Sequence, residues 1–350
     1  MIRLKRGFRD RDYVQTPEGF FFCVIGSVHP PDRVISYLKY IPSKRGRWGR
    51  GSSRFQRIMR RYTMLDLIST INFLKSHPEY LYDSPIMGVN ISAVPLSKIT
   101  NHLKPEEKII DLSRSRDLDA LQGKALDLAL KISDESSIPL KYFGVTGSIL
   151  LDIHQKFSDI DLTIYGVKNS ECVRETIKQI YSAGSHGISK FSGEEAKRWC
   201  QNKAEIYPIT CEDAYKILSR KWNRGIFKGT KFSIHPVKLE EEINEKYGDK
   251  IFNFRGMIKI EAKVSDDSEA DFMPAIYKVE EVRVLEGQPI KDIFEVASYE
   301  GFYGGIAHKG ERIGVYGKLE KVIDKRNDEE YHRVLVGSKE ALGKDYIKPL

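Results

Sequence analysis

Residues 142–166 read YFGVTGSILLDIHQKFSDIDLTIYG, and we expect this stretch to form the centre of the fold. Residues 142–146 form a short apolar and β-branched run, which is typical of a buried strand. The run ends at Gly147-Ser148, a turn that lets backbone approach a ligand closely. Residues 158–164 then alternate polar and apolar side chains, which predicts a second, half-buried strand.

Two acidic side chains lie on one face of that second strand. Residues two apart on a strand share a face, so Asp159 and Asp161 are expected to point the same way. Neighbouring carboxylates repel each other unless a cation or a shared proton removes the charge. Mg²⁺ prefers hard oxygen ligands, and the turn at Gly147-Ser148 offers N–H groups and a hydroxyl to phosphate oxygens. The pattern predicts a metal–phosphate site; the simpler alternative is an exposed Asp pair beside an ordinary turn.

A known family carries the same combination of features. Gly147-Ser148 followed by residues 158–162 (SDIDL) resembles the signature of the polymerase-beta-type nucleotidyltransferase superfamily, with the spacing of its minimal members. In broad outline the chain is similar to predicted archaeal nucleotidyltransferases. The resemblance implies that Asp159 and Asp161 hold catalytic Mg²⁺ or Mn²⁺ ions. It also implies that Gly147 and Ser148 hold the triphosphate of an incoming NTP.

The resemblance extends over residues 117–240 and has two departures. Residues 149–152 (ILLD) follow the Gly-Ser turn, where small or basic residues and a glycine are common. The superfamily also implies a third carboxylate on a later strand. Glu205, in an apolar-acid-apolar setting, is the predicted third catalytic acid, whereas the predicted strand 231–237 offers His235 instead. If neither group completes the site, nucleotide or metal binding is better supported than catalysis.

Cations gather at the end of a helix predicted over residues 211–222. The segment 219–225 (SRKWNRG) includes Lys221 and Arg224, which are candidate ligands for a triphosphate or a nucleic-acid backbone. The alternative is that these cations interact with the helix dipole, with Gly225 as the cap.

The overall composition favours a cytoplasmic, multidomain globular protein. The chain has 350 residues, 41% hydrophobic and 30% charged, and no apolar run long enough for a membrane span or a signal peptide. Its four cysteines lack metal-type spacing, so we expect free thiols. A net charge of +8 favours an anionic partner, either NTP or RNA, and no membrane partner. The sequence leaves the oligomeric state open.

Residues 1–110 are expected to form an α+β module. Alternating apolar runs predict a hairpin over residues 19–41, and helical periodicity predicts a helix over residues 62–77. Between them, residues 43–62 (SKRGRWGRGSSRFQRIMRRY) combine many cations with three aromatic side chains. We expect residues 43–53 to be a mobile loop, and the whole segment either to bind RNA or to be a solvated linker.

Two further domains follow in the predicted α+β multidomain fold. Residues 111–250 are expected to form a nucleotidyltransferase-like mixed sheet with helices, including helices over residues 117–133 and 171–181. Residues 251–350 change to short strands at regular spacing, which predicts a small β-barrel or sandwich. A five-stranded barrel of the oligonucleotide-binding (OB) kind is one candidate.

These features predict a metal-dependent nucleotidyltransferase. It would transfer NMP from an NTP to a hydroxyl, and an RNA end is the first choice of acceptor. One alternative is a protein that holds nucleotide or RNA on the same scaffold without turnover. Another is an enzyme whose acceptor is a small molecule or a protein hydroxyl.

Overall fold

The computed structural model describes residues 6–59, 61, 63–184 and 187–350. The strands are β1 (Tyr13–Gln15), β2 (Phe21–Val24), β3 (Arg33–Pro42), β4 (Trp48–Arg50), β5 (Ser53–Arg57), β6 (Leu81–Ser84), β7 (Val89–Pro95), β8 (Asn101–Leu103), β9 (Phe143–Val145), β10 (Ile160–Tyr165), β11 (Ile188–Ser189), β12 (Arg224–Phe227), β13 (Thr230–Val237), β14 (Lys250–Asp266), β15 (Ala275–Glu286), β16 (Ile293–Ser298), β17 (Arg312–Asp324), β18 (Glu329–Val336) and β19 (Tyr346–Pro349). The helices are α1 (Met64–Leu74), α2 (Pro105–Arg114), α3 (Ala120–Ser136), α4 (Gly147–Leu150), α5 (Val167–Ala183), α6 (Gly193–Ile206) and α7 (Cys211–Arg220). Sequence predictions for residues 1–5, Arg60 and Tyr62 lie outside the described residues.

Contacts between residues divide the chain into two compact units. Unit 1 comprises the described residues of Met1–Met59, Ala93–Phe191 and Trp222–Asn244, and unit 2 those of Arg60–Ser92, Ser192–Lys221 and Glu245–Leu350. The sequence predicts three consecutive domains, 1–110, 111–250 and 251–350, and the contacts group the chain differently. Sequence patterns identify single elements, but they do not show which distant segments pack together. The predicted mixture of helices and sheets in more than one compact unit is confirmed.

The central sheet of unit 1 has the strand order β11-β12-β13-β10-β9. Strands β10 and β13 run parallel, and the other neighbours are antiparallel. On one face of β10, Ile160, Leu162 and Ile164 are buried in a core with apolar side chains of α2, α3 and α5. Because side chains alternate along a strand, Asp161 and Thr163 belong to the opposite face.

Two helices beside this sheet, α3 and α5, begin close to the residues at which the sequence predicts them to start. The helix predicted over residues 117–133 is α3, whose first turn is capped by the Asp119 side chain. The helix predicted over residues 171–181 begins earlier, at the start of α5. Gly166, with a φ of 98°, turns the chain directly from β10 into that helix.

A second sheet of unit 1 has the strand order β4-β5-β3-β2-β1-β8. The hairpin predicted over residues 19–41 is confirmed, since β2 and β3 pair antiparallel. The mobile loop predicted over residues 43–53 is wrong in part, because strands β4 and β5 form an ordered hairpin there. Its Gly49 N–H donates to the carbonyl of Ile153 at 2.8 Å. That distant contact could not be seen in the local sequence.

Unit 2 is built on a ring of strands in the order β14-β15-β16-β18-β17, closed by pairing of β17 with β14. Strands β16 and β18 are parallel, and β19 extends the sheet along β17. Ile260, Val315 and Val334 are fully buried within it. A register shift between Phe254 and Gly256 bends the long strand β14. The predicted C-terminal barrel or sandwich is therefore a closed ring of strands, and unit 2 also contains α1, α6 and α7.

Two predictions from composition concern membrane segments and cysteines. None of the helices in the described ranges is long and apolar enough to cross a membrane. Cys23 and Cys200 are buried, whereas Cys172 and Cys211 are exposed. All four are free thiols, as predicted.

Candidate functional site

Strand register in unit 1 aligns three polar side chains across the central sheet. Asp161 on β10 lies opposite Ser233 on β13, and Ser233 lies opposite Arg224 on β12. The same register places Thr163 opposite His235. All of these side chains are on the face away from the helices, because their alternate neighbours fill the core.

The Gly147 turn lies against the Asp161 carboxylate. Pairing of β9 with β10 is extended by the Thr146 N–H, which donates to the Asp161 carbonyl at 2.9 Å. Gly147 has a φ of 68°, and a Cβ at this position would come within 2.6 Å of Asp161 Oδ2. Both facts restrict the position to glycine. Ser148 follows directly and is buried.

Asp161 is held by a short chain of hydrogen bonds from β13. The Ser233 hydroxyl donates to Asp161 Oδ1 at 2.5 Å. His235 Nε2 lies 2.9 Å from the Ser233 hydroxyl oxygen and 3.8 Å from Asp161 Oδ1. Because the hydroxyl proton is directed to Asp161, the His235 Nε2–H donates to Ser233. This arrangement fixes Oδ1 and leaves Oδ2 beside the Gly147 turn.

The charge states of Asp161 and His235 follow from their surroundings. Burial favours the neutral form of Asp161, but His235 and the Ser233 hydroxyl outweigh it and hold the pKa of Asp161 below its usual range. Burial and the positive charge of Arg11 lower the pKa of His235 to about 4. At neutral pH the pair is therefore a carboxylate beside a neutral imidazole. The Asp161 side chain keeps 34% of its surface exposed, so it is open to a ligand.

Asp159 lies at the outer edge of the site, one residue before β10, and it is exposed. Desolvation by the surrounding protein and the negative charge of Asp161 raise the pKa of Asp159 to about 6. The charges of Lys231, Arg224 and Arg57 act in the opposite direction but do not cancel the rise. Two carboxylates with opposite pKa shifts in one place are typical of functional sites.

The structure does not bring Glu205, the predicted third acid, to a strand. Glu205 lies in the last turn of α6, within unit 2, and is exposed. The strand setting inferred from its apolar neighbours is wrong, because residues 193–206 are one continuous helix. His235, the alternative, lies on β13 and contacts Asp161 through Ser233.

The two cations predicted as phosphate ligands have different surroundings. Lys221 is buried in unit 2, where its ammonium group donates to the carbonyl oxygens of Gly301, at 3.4 Å, and Gly304. Because these bonds occupy the ammonium group within unit 2, the prediction that Lys221 binds phosphate is withdrawn. Arg224 is beside Ser233 on the polar face of the unit 1 sheet, so it stays a predicted phosphate ligand.

The candidate metal ligands of the site are the two carboxylates of Asp159 and Asp161. Across the described ranges, no group of three or more His, Cys, Asp and Glu side chains could hold a metal by itself. Mg²⁺ commonly uses only one or two carboxylates and completes its coordination with water and substrate phosphates. Asp159 and Asp161 therefore fit a cation that arrives with a polyphosphate, and they do not fit a permanent structural metal.

Ser233 is the residue of this site that sequence reasoning missed. It lies two residues before His235 in the predicted strand 231–237, so both were expected on one face. What the sequence could not show is that β13 pairs in parallel with β10, at a register that sets Ser233 beside Asp161.

Comparison with known proteins identifies an archaeal relative of this chain. No family model matches the chain. No solved structure matches it. The chain is 33% identical, over 344 residues, to the uncharacterized protein MJ1086 of Methanocaldococcus jannaschii, and the alignment covers 97% of this chain and 98% of that protein. Identity of this extent over nearly the full length of both chains shows that this protein belongs to the same family as MJ1086.

Proposed function

We propose that unit 1 is a metal-dependent nucleotidyltransferase that transfers NMP from an NTP to a hydroxyl and releases pyrophosphate. One observation carries the proposal: a carboxylate, Asp161, lies against a glycine turn that admits no side chain, with Asp159 two residues away. The fine assignment of the mixed sheet to the nucleotidyltransferase fold is part of the same proposal. It is supported by the succession of β9, the Gly-Ser turn, α4 and β10.

Each residue of the site has a role in this proposal. Asp159 and Asp161 would hold Mg²⁺ or Mn²⁺, which neutralises phosphate charge and activates the attacking hydroxyl when it is bound. Gly147 lets the turn lie against Asp161, and the backbone N–H groups of the turn and the Ser148 hydroxyl would supply polar contacts to a phosphate. Arg224 would balance the negative charge of the triphosphate.

Ser233 and His235 have a positioning role in the proposal. By fixing Asp161 Oδ1, the Ser233 hydroxyl restricts the carboxylate to one orientation. Groups that orient a metal ligand commonly contribute 10- to 100-fold to metal affinity or activity. His235, which is neutral at pH 7, holds the Ser233 hydroxyl in place through a hydrogen bond from Nε2.

A second candidate is a protein that binds nucleotide or RNA on this scaffold without turnover. One observation favours it: within the described residues, no third carboxylate joins Asp159 and Asp161 in a metal-binding group. The closed ring of strands in unit 2 would serve RNA binding in either case, and we propose that it is an OB-like barrel.

One experiment separates the two candidates. The purified full-length protein is incubated with Mg²⁺, radiolabelled NTPs and an RNA mixture, and incorporation of label is followed. Incorporation that is lost in Asp159→Asn supports the enzyme. Metal-dependent NTP binding with no incorporation into RNA, protein or small hydroxyl compounds supports the binding protein.

A further inference from the structure

A cationic and aromatic surface lies at the edge of the candidate site. It consists of residues 43–57, which include the β4–β5 hairpin, and of the loop over residues 152–158. We call this surface the basic rim. The Gly49 N–H donates to the Ile153 carbonyl at 2.8 Å, and Gln155 Nε2 donates back to the Gly49 carbonyl at 2.7 Å. These reciprocal bonds fix the hairpin to the loop that joins α4 to β10.

Aromatic rings strengthen this attachment and leave much of the Phe157 side chain exposed. The rings of Trp48 and Phe157 meet edge to face, with centroids 5.8 Å apart. The ring of Tyr40 also packs against Trp48, with centroids 5.7 Å apart. Phe157 nevertheless keeps 52% of its surface exposed. An exposed ring held by a second ring is a rigid platform on which a base can stack.

The charge of the basic rim is strongly positive. Lys44, Arg45, Arg54 and Lys156 are exposed, and no carboxylate in the described part of the chain forms an ion pair with them. The guanidinium of Arg47 lies 5.0 Å from the Phe157 ring centre. Cations around an aromatic platform fit a phosphate backbone and its unpaired bases.

The position of Phe157 connects this surface to the proposed chemistry. Phe157 precedes Asp159 by two residues, so their Cα atoms are at most about 7 Å apart. A nucleotide whose base stacks on Phe157 would therefore have its sugar within reach of the two carboxylates.

We propose that the basic rim binds the end of a single-stranded nucleic acid, whose terminal hydroxyl is the acceptor of the transferred nucleotide. The role of that hydroxyl rests on the proposed function, whereas binding to the rim does not. A duplex would hide the faces of its bases, so the exposed ring favours a single strand. Stacking and phosphate contacts apply to both RNA and DNA, and the test distinguishes them.

The test measures binding of fluorescent 12-nucleotide RNA, the same sequence as DNA, and the RNA duplex to the full-length protein by anisotropy. No metal or NTP is added, and salt is varied. We expect Phe157→Ala to weaken single-strand binding roughly 10-fold. We expect Arg45→Gln with Arg54→Gln to lower the salt slope by about 1.4, since each phosphate contact on a single strand contributes about 0.7. Tighter binding of RNA than DNA would indicate contacts to the 2′-hydroxyl, and equal binding would indicate recognition of the shared backbone and bases.

Two variants serve as matched controls. Tyr215→Ala removes an aromatic side chain that is 62% exposed in unit 2, and Lys168→Gln removes an exposed cation at the far end of β10. Both should bind oligonucleotides as the wild type does. Equal binding of duplex and single strands, or binding that Phe157→Ala leaves unchanged, would overturn the proposal.

The outcome is independent of the proposed function. If the protein binds oligonucleotides through the basic rim but incorporates no nucleotide, the proposed transferase activity is rejected and the proposed binding surface is supported. If the protein transfers nucleotide to a small hydroxyl compound but binds no oligonucleotide, the proposed transferase activity is supported and the proposed binding surface is rejected. Binding to acidic vesicles but not to oligonucleotides would also overturn it.

Discussion

The barrel of unit 2 and the central sheet of unit 1 both carry buried or half-buried acidic side chains, but the two regions neutralise them differently. In the barrel, Glu320 Oε2 accepts a hydrogen bond from Arg333 Nε at 2.8 Å, and Glu320 Oε1 lies 3.2 Å from Lys318 Nζ. Glu295 accepts from Lys278 at 2.9 Å. Burial would raise the pKa of Glu295, yet the charges of Arg333 and Lys278 lower it. Both of these acids are paired with cations that are built into the fold.

In unit 1 the two acids are neighbours, and the protein does not neutralise both. Asp161 is ionised and held by a neutral hydroxyl and a neutral imidazole, and its charge helps to raise the pKa of Asp159 to about 6. Acids that are fully paired with internal cations contribute to structure. Like charges that are left side by side at an accessible face attract a cation from solution. We therefore infer a structural role for the first group and propose ligand binding for the second.

The largest expected effect comes from removing one charge in each region. Asp161→Asn should abolish Mg²⁺-dependent NTP binding and cost less stability than the loss of a buried ion pair, because the groups that hold its carboxylate, the Ser233 hydroxyl and the His235 imidazole, are neutral. Glu320→Gln should leave NTP binding intact but cost about 3 kcal/mol of unfolding free energy, because Lys318 and Arg333 stay buried with one partner fewer. Calorimetric titration and denaturant unfolding measure the two quantities. Equal loss of stability in both variants would remove the distinction between the regions.

A substitution at the glycine turn tests the same distinction by shape. In Gly147→Ala, the added Cβ would collide with Asp161 Oδ2 and strain a backbone with a positive φ. We expect at least roughly 100-fold weaker metal-dependent NTP binding, since misplaced site geometry has effects of that order.

Gly184→Ala is the matched control for that substitution. Gly184 has a φ of 61°, close to that of Gly147, but open space around it. This variant carries the backbone strain without the collision, so it should lose about 1 kcal/mol of stability and no NTP affinity. If the two variants lose NTP affinity equally, strain rather than the approach to Asp161 explains the effect.

A smaller effect is expected when the support of Asp161 is removed. Ser233→Ala deletes the hydroxyl that fixes Oδ1 and should weaken metal affinity about 10- to 100-fold. Ser233→Thr keeps a hydroxyl and should restore most of that affinity. The readout is Mn²⁺ binding followed by electron paramagnetic resonance. Wild-type affinity in Ser233→Ala would show that Asp161 needs no such support.

The last prediction concerns a third way to neutralise an acid, by protonation. Burial and the charge of Asp345 raise the pKa of Glu300 in unit 2 to about 8. The native state thus retains a proton that the unfolded state loses near its ordinary pKa. Stability should therefore fall as pH rises from about 4.5 to 8. Glu300→Gln should remove this slope, with a melting temperature a few degrees above wild type at pH 9 and little difference at pH 5. Parallel melting curves across this pH range would contradict the assignment.

Local sequence patterns predicted much of the fold. Alternation in residues 158–164 identified β10 and its apolar face, and helical periodicity identified α3. Regular strand spacing after residue 251 predicted the barrel. These features depend on short-range periodicity, which a single sequence displays directly.

Tertiary contacts explain what the sequence did not predict. Lys221 resembled a phosphate ligand because its acceptors, the carbonyls of Gly301 and Gly304, lie some eighty residues away. The ordering of the β4–β5 hairpin depends on the loop after α4, and the place of Ser233 depends on the register of two strands. Pairing and register are set by the whole fold, so they are not visible in local patterns.

We propose that Asp159, Asp161 and the Gly147 turn together receive a cation and a polyphosphate. The most direct test is a crystal structure of the full-length protein with Mn²⁺ and a non-hydrolysable NTP, in which anomalous scattering locates the metal. We expect Mn²⁺ bound by Asp159 and Asp161, with the triphosphate at Gly147 and Ser148. A nucleotide bound elsewhere, or metal that makes no contact with Asp161, would contradict it.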